Sequence, residues 1–142
     1  MRYFGILLTL AAAGACQGAF DPVPPGKQLS IIDAGSPVGF PSGIVVQDTV
    51  LAGLVAVRYH SYGSSSCNRP DGEDVTTAGT VVTIVAYDKF VSPTQACTAD
   101  FGVFPRDVLV SLEPGTIQLR VRGKRLSADS PTIELLKTVV VK

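Results

Sequence analysis

The chain has little of what enzymes and metal proteins use at their sites. Its 142 residues include no tryptophan, one histidine and three cysteines, and only 7% of them are aromatic. A zinc or copper site needs several imidazole or thiolate ligands, which this composition cannot supply if the cysteines are otherwise engaged. No glycine-rich phosphate loop lies between a strand and a helix, so nucleotide binding has no support. The sequence predicts no metal site and no cofactor.

The chain also has no excess of charge of either sign. Twelve basic residues face twelve acidic residues, which gives a formal net charge of zero. Proteins that bind nucleic acid carry a basic excess or a basic stripe, so we expect no nucleic-acid partner. The basic residues between Arg120 and Arg125 are more typical of a solvated strand face than of a surface that meets lipid headgroups or an acidic partner.

No hydrophobic run is long enough for a permanent membrane helix, but a shorter one stands at the N-terminus. Arg2 precedes an apolar stretch from Phe4 to Leu10, and small residues follow as far as Ala15. A spanning helix needs about 20 apolar residues. A basic start, a short apolar centre and a small-residue end are the three parts of a secretory signal. We predict a signal peptide over residues 1–15.

The end of this segment, Ala13-Gly14-Ala15-Cys16, resembles a bacterial lipobox. The resemblance implies that Cys16 is lipidated, becomes the first residue and anchors the protein to a membrane. Gln17 follows, and similarity to lipoproteins of double-membraned bacteria implies the outer membrane of the cell envelope. The alternative is an ordinary signal-peptidase cut after Ala15, which leaves a soluble exported protein. Residues 16–26 contain three prolines and are predicted to form an extended tether.

The other two cysteines form an even pair in an exported chain. Cys67 and Cys97 lie in polar, loop-like surroundings, and neither stands in an apolar run. Exported proteins meet an oxidising environment, and an even cysteine count there indicates a disulfide. Two buried free thiols are the alternative. We predict a Cys67–Cys97 disulfide.

Residues 27–142 are predicted to form one all-β domain. Valine and threonine are abundant, glycine and proline punctuate the chain, and no helical stripe is present after residue 27. A polar loop is expected at 68–78, with a turn at 69–72, and a long excursion at 88–104. Short strands at this spacing favour a single antiparallel β-sandwich. The strands are expected at 27–33, 51–62, 80–87, 107–113, 116–122 and 132–140.

Two resemblances accompany this pattern. The stretch LVSLEPGTIQLRVRG is similar to two strands and the intervening turn of bacterial immunoglobulin-like domains. The order of a strand, a cysteine, a second strand and the letters ACTAD resembles small lipoproteins of environmental bacteria. The first resemblance implies an immunoglobulin-like sandwich with binding loops at one end. Neither resemblance implies an activity.

The predicted contact region is the disulfide-tied stretch 64–104, because loops carry function on such scaffolds. An acidic cluster within it could suggest calcium, but its spacing does not match an EF-hand, and a solvated turn is the simpler interpretation. The candidate partner-binding residues are Ser64, Arg69, Asp71, Glu73, Asp88 and Lys89.

His60 is the only side chain that could serve a serine-histidine-aspartate site. The serines that follow it lie in a glycine-serine run and not in a nucleophile elbow, so a histidine at the rim of a strand is the simpler interpretation. We expect no enzyme: the chain is predicted to be an exported cell-envelope lipoprotein that acts as a binding or structural module for a protein or cell-wall partner. The alternatives are an exported inhibitor of a protease or lysozyme-like enzyme, and a hydrolase that uses His60.

Overall fold

The computed structural model describes residues 23–35, 39–91 and 96–142. The predicted signal peptide, Cys16 and most of the tether lie outside these ranges. The described residues form nine strands and no helix. The strands are β1 Gln28–Leu29, β2 Ile31–Asp33, β3 Thr49–Val50, β4 Gly53–Gly63, β5 Asn68–Ala78, β6 Val81–Phe90, β7 Gly102–Leu112, β8 Gly115–Arg125 and β9 Thr132–Val141.

All nine strands belong to one sheet that curls into a half-barrel. The main path runs β1-β6-β8-β2-β4-β7, while β5 pairs with β6, and β9 pairs with both β8 and β3. The predicted all-β class is confirmed. The expectation of a purely antiparallel sheet is wrong, because β6 with β8, β2 with β8 and β3 with β9 are parallel pairs.

The core follows from the two-residue period of the strands. Side chains alternate across a strand, so every second residue faces the inside of the curl. In β7 the buried residues are Arg106, Val108, Val110 and Leu112, and the residues between them are exposed. Strands β4, β6, β8 and β9 add the other inward apolar side chains. The largest buried ones include Tyr59, Ile84, Leu119, Val121 and Val139.

The N-terminal segment connects the two halves of the sheet, because β2 lies between β8 and β4. The single strand expected at 27–33 is two short strands, because the chain passes from β6 to β8 at Ser30. Strand β1 pairs with β6, and β2 pairs with both β4 and β8. The passage is tight: a Cβ on Gly123 would lie 2.5 Å from the Ser30 carbonyl oxygen, so β8 requires glycine there.

The stretch 68–78, predicted as a polar loop, is strand β5. It pairs with β6 from Asn68 to Ala78, and the turn-like residues form an irregularity between Pro70 and Glu73. Gly72 has a φ of 86°, which glycine adopts without a steric penalty. Proline is tolerated on an edge strand or at a bulge. The turn signal therefore marks a bulge inside an edge strand.

The predicted excursion at 88–104 is shorter than expected. Strand β6 continues to Phe90, and β7 begins at Gly102. The connection between β6 and β7 carries Cys97. The disulfide joins Cys97 to Cys67, which lies between β4 and β5 at one end of the half-barrel. This end holds most of the residues that the sequence selects as candidates.

Candidate functional site

The disulfide is confirmed, and it lies at the end of the half-barrel. Cys67 is buried between β4 and β5, while Cys97 is exposed on the β6–β7 connection, and their Cα atoms are 5.5 Å apart. The Val91 amide donates to the Cys67 carbonyl oxygen at 2.8 Å. The end of β6 and the β6–β7 connection are thus both attached to the residue at the start of β5.

Hydroxyl groups hold the two connections together beside the disulfide. The Ser64 hydroxyl donates to the Thr98 carbonyl oxygen at 3.0 Å, and the Thr98 amide donates to the Ser66 hydroxyl at 2.8 Å. Ser65 and Thr98 donate to the Asp100 carboxylate, and these hydrogen bonds lower the pKa of Asp100. These hydrogen bonds attach residues 64–66 to residues 98–100.

Three aromatic rings pack on the outer side of this end. Tyr62 and Phe101 stack with ring centroids 5.6 Å apart, and Phe40 contacts Phe101 edge-on at 5.1 Å. The Tyr62 hydroxyl donates to the Pro41 carbonyl oxygen. Aromatic pairs of this kind contribute about 0.5–1.5 kcal/mol beyond their buried area. They fasten the segment before β3 and the start of β7 to β4.

A buried ion cluster lies on the inner side of the sheet. The Arg106 guanidinium donates to Asp88 Oδ1 at 3.1 Å and to Glu73 Oε1 at 2.7 Å. It also donates to the carbonyl oxygens of Gly72 and Tyr87, at 2.9 and 3.2 Å. Because Glu73 and Gly72 belong to β5 and Arg106 belongs to β7, this side chain bridges two strands that do not pair with each other. The sequence interpretation missed Arg106, although extending the β7 alternation by two residues places it inward.

Asp88 is the most enclosed acid of the cluster. Its side chain is 1% exposed, and Oδ1 accepts a 2.7 Å hydrogen bond from Ser30 besides the bond from Arg106. Burial raises the pKa of Asp88, while the bonds from Ser30 and the positive charge of Arg106 oppose that effect. Burial likewise raises the pKa of Tyr59, whose hydroxyl donates to Glu73 at 3.3 Å.

The structure brings the six predicted partner-binding residues to one end but divides them between surface and interior. Ser64 lies in the β4–β5 connection, and Lys89 is exposed on β6. Arg69 is exposed on β5, opposite Lys89 in the strand register. Two acids that were expected in a loop lie in the interior instead: the Asp88 side chain is fully buried, and the Glu73 side chain is partly buried. Asp71 accepts at its carbonyl oxygen from Lys27 at 2.9 Å, on the strand and not in a loop.

His60 is half-buried on β4, opposite Pro105 of β7. Its Nδ1 atom is buried without a hydrogen-bond partner in the part of the chain that the structure describes, and so is the hydroxyl of Ser61. The two side chains lie on opposite faces of β4, because neighbouring strand residues alternate. No serine–histidine contact forms there, and the hydrolase hypothesis stays a prediction that His60→Ala would test.

Across 23–35, 39–91 and 96–142, no group of three histidine, cysteine, aspartate or glutamate side chains is placed to hold a metal ion. These segments also contain no apolar helix of the length that would cross a membrane. Comparison of the chain with protein-family models, with curated proteins and with solved structures finds no match.

Proposed function

We propose that the protein is an exported, lipid-anchored module of the bacterial cell envelope that binds a protein partner through the disulfide-tied end and catalyses no reaction. The predicted signal segment and the resemblance of Ala13 to Cys16 to a lipobox support export and anchoring. A Cys67–Cys97 disulfide also fits an oxidising compartment. An immunoglobulin-like sandwich is the finer fold proposal, and the curled all-β sheet is compatible with it.

The anchor can be tested by the intact mass of protein purified from membranes. We expect residues 16–142 plus a diacylglyceryl group and an acyl chain. An unlipidated mass in the soluble fraction would contradict the anchor while leaving the binding proposal in place.

One observation carries the binding proposal: an exposed apolar and basic group at the end of the β5–β6 ladder. We call Arg69, Lys89, Phe90 and Val91 the end surface. Phe90 and Val91 are each 49% exposed, and Arg69 lies opposite Lys89 in the register. Aromatic and arginine side chains dominate the binding energy of protein interfaces. The end surface combines both with a backbone that the disulfide holds in place.

Rigidity supports the same interpretation. Ordering a flexible loop at an interface costs free energy, and a loop that is already ordered avoids this cost. Here the Val91 amide is bonded to Cys67, and the Arg69 guanidinium donates to the Asn68 carbonyl oxygen at 2.8 Å and to that of Ser65. Most contacts that hold the end surface therefore exist before any partner arrives. A partner with an acidic and apolar surface would be complementary to it.

The experiment is capture from an envelope extract with the purified, oxidised protein, followed by a binding measurement with the captured partner. We expect Phe90→Ser and Lys89→Glu each to weaken binding at least tenfold. Leu136→Ser and Lys142→Glu are matched controls, because they change the same kinds of exposed residue on and just beyond β9. Equal effects of the test and control variants would contradict the proposed surface.

A second candidate function is inhibition of an exported protease or lysozyme-like enzyme. The observation in its favour is the short 64–66 connection, which the disulfide and the bonds of Ser64 and Ser66 to Thr98 hold in one conformation. Pre-organised loops bind enzymes tightly because little entropy is lost. A panel of proteases and lysozymes with the oxidised protein would test it, and inhibition that survives replacement of Ser64–Ser66 by alanine would contradict this role for the connection.

A further inference from the structure

A pocket of about 280 Å³ lies on the outer face of the sheet, where β5, β6 and β8 run side by side. The chain before β2 contributes to its wall: Leu29 pairs with Tyr87 in the β1–β6 register, and both line the pocket together with Val23. We call this site the outer pocket. Its other lining residues are Asp74, Thr76, Thr83, Val85, Arg122 and Thr132.

The strand register places the lining side chains in two rows. Asp74 pairs with Val85, and Val85 pairs with Arg122, so these three residues lie side by side on one face. Thr76 pairs with Thr83 in the next row, two residues along the strands. Neighbouring strands are about 4.8 Å apart, so about 10 Å separates the backbones at Asp74 and Arg122, with Val85 between them. A ligand one ring wide, seated on Val85, therefore lies within reach of both rows.

The polar groups on the β5 side of the outer pocket are available to a ligand. The Asp74 carboxylate makes no ion pair or hydrogen bond within the described ranges, and neither do the hydroxyl groups of Thr76 and Thr83. On the opposite side, the Arg122 guanidinium donates to Glu134 Oε1 at 2.7 and 3.0 Å. The pocket therefore offers one acidic acceptor, together with hydroxyl groups that can both donate and accept.

This lining favours a neutral ligand that carries several hydroxyl groups. An anion would meet Asp74, whereas a simple ammonium ion would gain nothing from Val85 and would lie in the same row as the Arg122 guanidinium. Hydroxyl groups donate short, strong hydrogen bonds to a carboxylate, and apolar C–H groups pack on an aliphatic side chain. The volume is just below the range of about 300–1,000 Å³ for drug-sized ligands, so a single ring fits.

We propose that the outer pocket binds one hexose-sized sugar unit. Two neighbouring hydroxyl groups of the sugar donate to the Asp74 carboxylate, a third shares a hydrogen bond with Thr83, and the C–H groups of the ring contact Val85. The inference goes beyond the proposed function, because it assigns a second ligand to a separate part of the surface. Val85 lies four residues, or about 13 Å, along β6 from Lys89 of the end surface, and the two sites share no residue.

The test is a titration of the purified, oxidised protein with the methyl glycosides of glucose, galactose, mannose and N-acetylglucosamine, followed by the amide signals of isotope-labelled protein. The controls are tetrahydropyran-2-methanol, which has the ring without its ring hydroxyl groups, and butylammonium. We expect saturable shifts at Asp74, Thr83 and Arg122 with at least one glycoside, and affinity at least tenfold weaker for both controls. No saturable shift with any glycoside, equal affinity for either control, or shifts confined to another part of the protein would overturn the assignment.

Variants give a second measurement with the best glycoside. Asp74→Asn and Thr83→Val should each weaken its binding about tenfold, because each removes a hydrogen-bonding group and leaves the shape of the side chain nearly unchanged. Asp129→Asn and Thr138→Val are matched controls, because both residues are exposed and lie outside the lining. Equal losses in the test and control variants would contradict the outer pocket. Retention on insoluble cell-wall glycan and flotation with glycolipid vesicles then distinguish the two sources of the sugar, and Asp74→Asn should weaken either one.

The two proposals can fail independently. Glycoside binding requires no protein partner, so a protein that binds none of the glycosides contradicts only the outer pocket, whereas capture that Phe90→Ser leaves unchanged contradicts only the end surface.

Discussion

Arg106 is a charged residue on the inward face of β7, among apolar neighbours. It shares that face with Val108, Val110 and Leu112, yet it is buried. The cost of burying its charge is offset by four groups that accept from it: Asp88, Glu73 and two carbonyl oxygens. Two of these acceptors lie on β5, so a single side chain of β7 connects two strands that are not paired with each other.

Removal of Arg106 should leave two acids without their cationic partner. We expect Arg106→Met to lower the free energy of unfolding by about 3–5 kcal/mol, the usual cost of breaking a buried ion pair on one side. Urea unfolding followed by circular dichroism measures the change. Arg58→Met is the control, because Arg58 pairs with Asp107 on the exposed outer face. A shift of the same size for both variants would contradict the special role of Arg106.

Asp88 should make stability depend on pH in an unusual direction. Burial raises its pKa in the folded protein above the ordinary value of 3.8. Between pH 3.8 and the raised pKa of the folded state, the folded protein holds a proton that the unfolded chain has released. The contribution of Asp88 to stability therefore falls as pH rises through the folded pKa. We expect the difference in unfolding free energy between the wild type and Asp88→Asn to decline over that window and to be level above it.

Asp107 provides the opposite case for the same experiment. Its hydrogen bond to Arg58 lowers its pKa. The unfolded chain therefore takes up the proton first, and the contribution of Asp107 is lost as pH falls below 3.8. Asp107→Asn should alter the acid limb only. If Asp88→Asn alters that limb in the same direction, the assignment of a raised pKa to Asp88 is wrong.

Sequence reasoning identified the chemistry of individual residues better than their surroundings. The disulfide pair follows from cysteine count and polar flanks, and Lys89 is exposed as expected. Asp88 was placed in a loop because the apolar run of β6 stops at Tyr87, whereas the strand continues to Phe90. The acid is tolerated inside because Arg106 and Ser30 come to it from distant parts of the chain, which no local pattern reveals.

At the scale of elements, β5 shows most clearly where local signals mislead. Its residues include Pro70 and Gly72, which normally indicate a turn. Its second half, residues 74–78, is exposed on both faces of the strand. Without an inward apolar row, the period of two is invisible in the sequence. Pairing with β6 creates the strand, and the irregularity at Pro70 accommodates the two turn-forming residues. Strands β8 and β9, whose inward rows are largely apolar, lie within three residues of the predicted ranges, whereas β7 begins five residues before the predicted start at 107.

The parallel pairing of β6 with β8 lay beyond sequence analysis for a different reason. A hairpin turn normally joins antiparallel neighbours, and the sequence around 113–115 does not show whether the strands on either side of the turn pair. In the structure β7 pairs with β4 and β8 pairs with β6 and β9, so this turn connects strands that are not paired with each other. Which strands become neighbours depends on burial of the whole inner face.

The disulfide should stabilise the connections more than the strands. The chain-entropy model gives about 3–4 kcal/mol for closing a loop of this length. We expect the free energy of unfolding of the Cys67→Ser/Cys97→Ser variant, measured by urea titration, to be lower by about that amount. Hydrogen exchange should speed up most at Val91 and Thr98, whose amides bond across the two connections. Reductant serves as the control, because it should destabilise the wild type and leave the variant unchanged. The lower global stability speeds exchange everywhere, so a loss of protection at Val91 and Thr98 no larger than the loss across β8 and β9 would contradict a local effect.

At the scale of the molecule, the outer face of β4 and β7 carries more apolar surface than solubility requires. Leu54 is 75% exposed and Leu109 is 66% exposed, and Val45 and Leu51 are exposed as well. Strand β7 pairs only with β4 among the described strands, so its other edge offers backbone groups beside these side chains. An edge of this kind is prone to pair with other chains.

A charge on this face should improve solubility without loss of stability. We expect Leu109→Lys to reduce light scattering when the protein refolds from urea at high concentration, because an edge lysine opposes strand pairing. Its urea midpoint should change little, since the side chain is already in solvent. Val110→Lys, which places the charge in the core, is the contrasting variant and should unfold the protein. Unchanged scattering for Leu109→Lys would indicate that aggregation begins elsewhere.

Under the proposed export, the position of the β1–β2 segment would set the order in which the sheet is completed. Asp33 and Arg125 form a salt bridge although they are 92 residues apart, and β1 and β2 pair with strands that follow much later. A chain that crosses a membrane from its N-terminus delivers this segment first, yet its partners on β8 arrive nearly last. The half-barrel therefore stays incomplete until almost the whole chain has crossed. In a tethered molecule, a pull on the N-terminus would then act directly between β6 and β8, at the centre of the sheet.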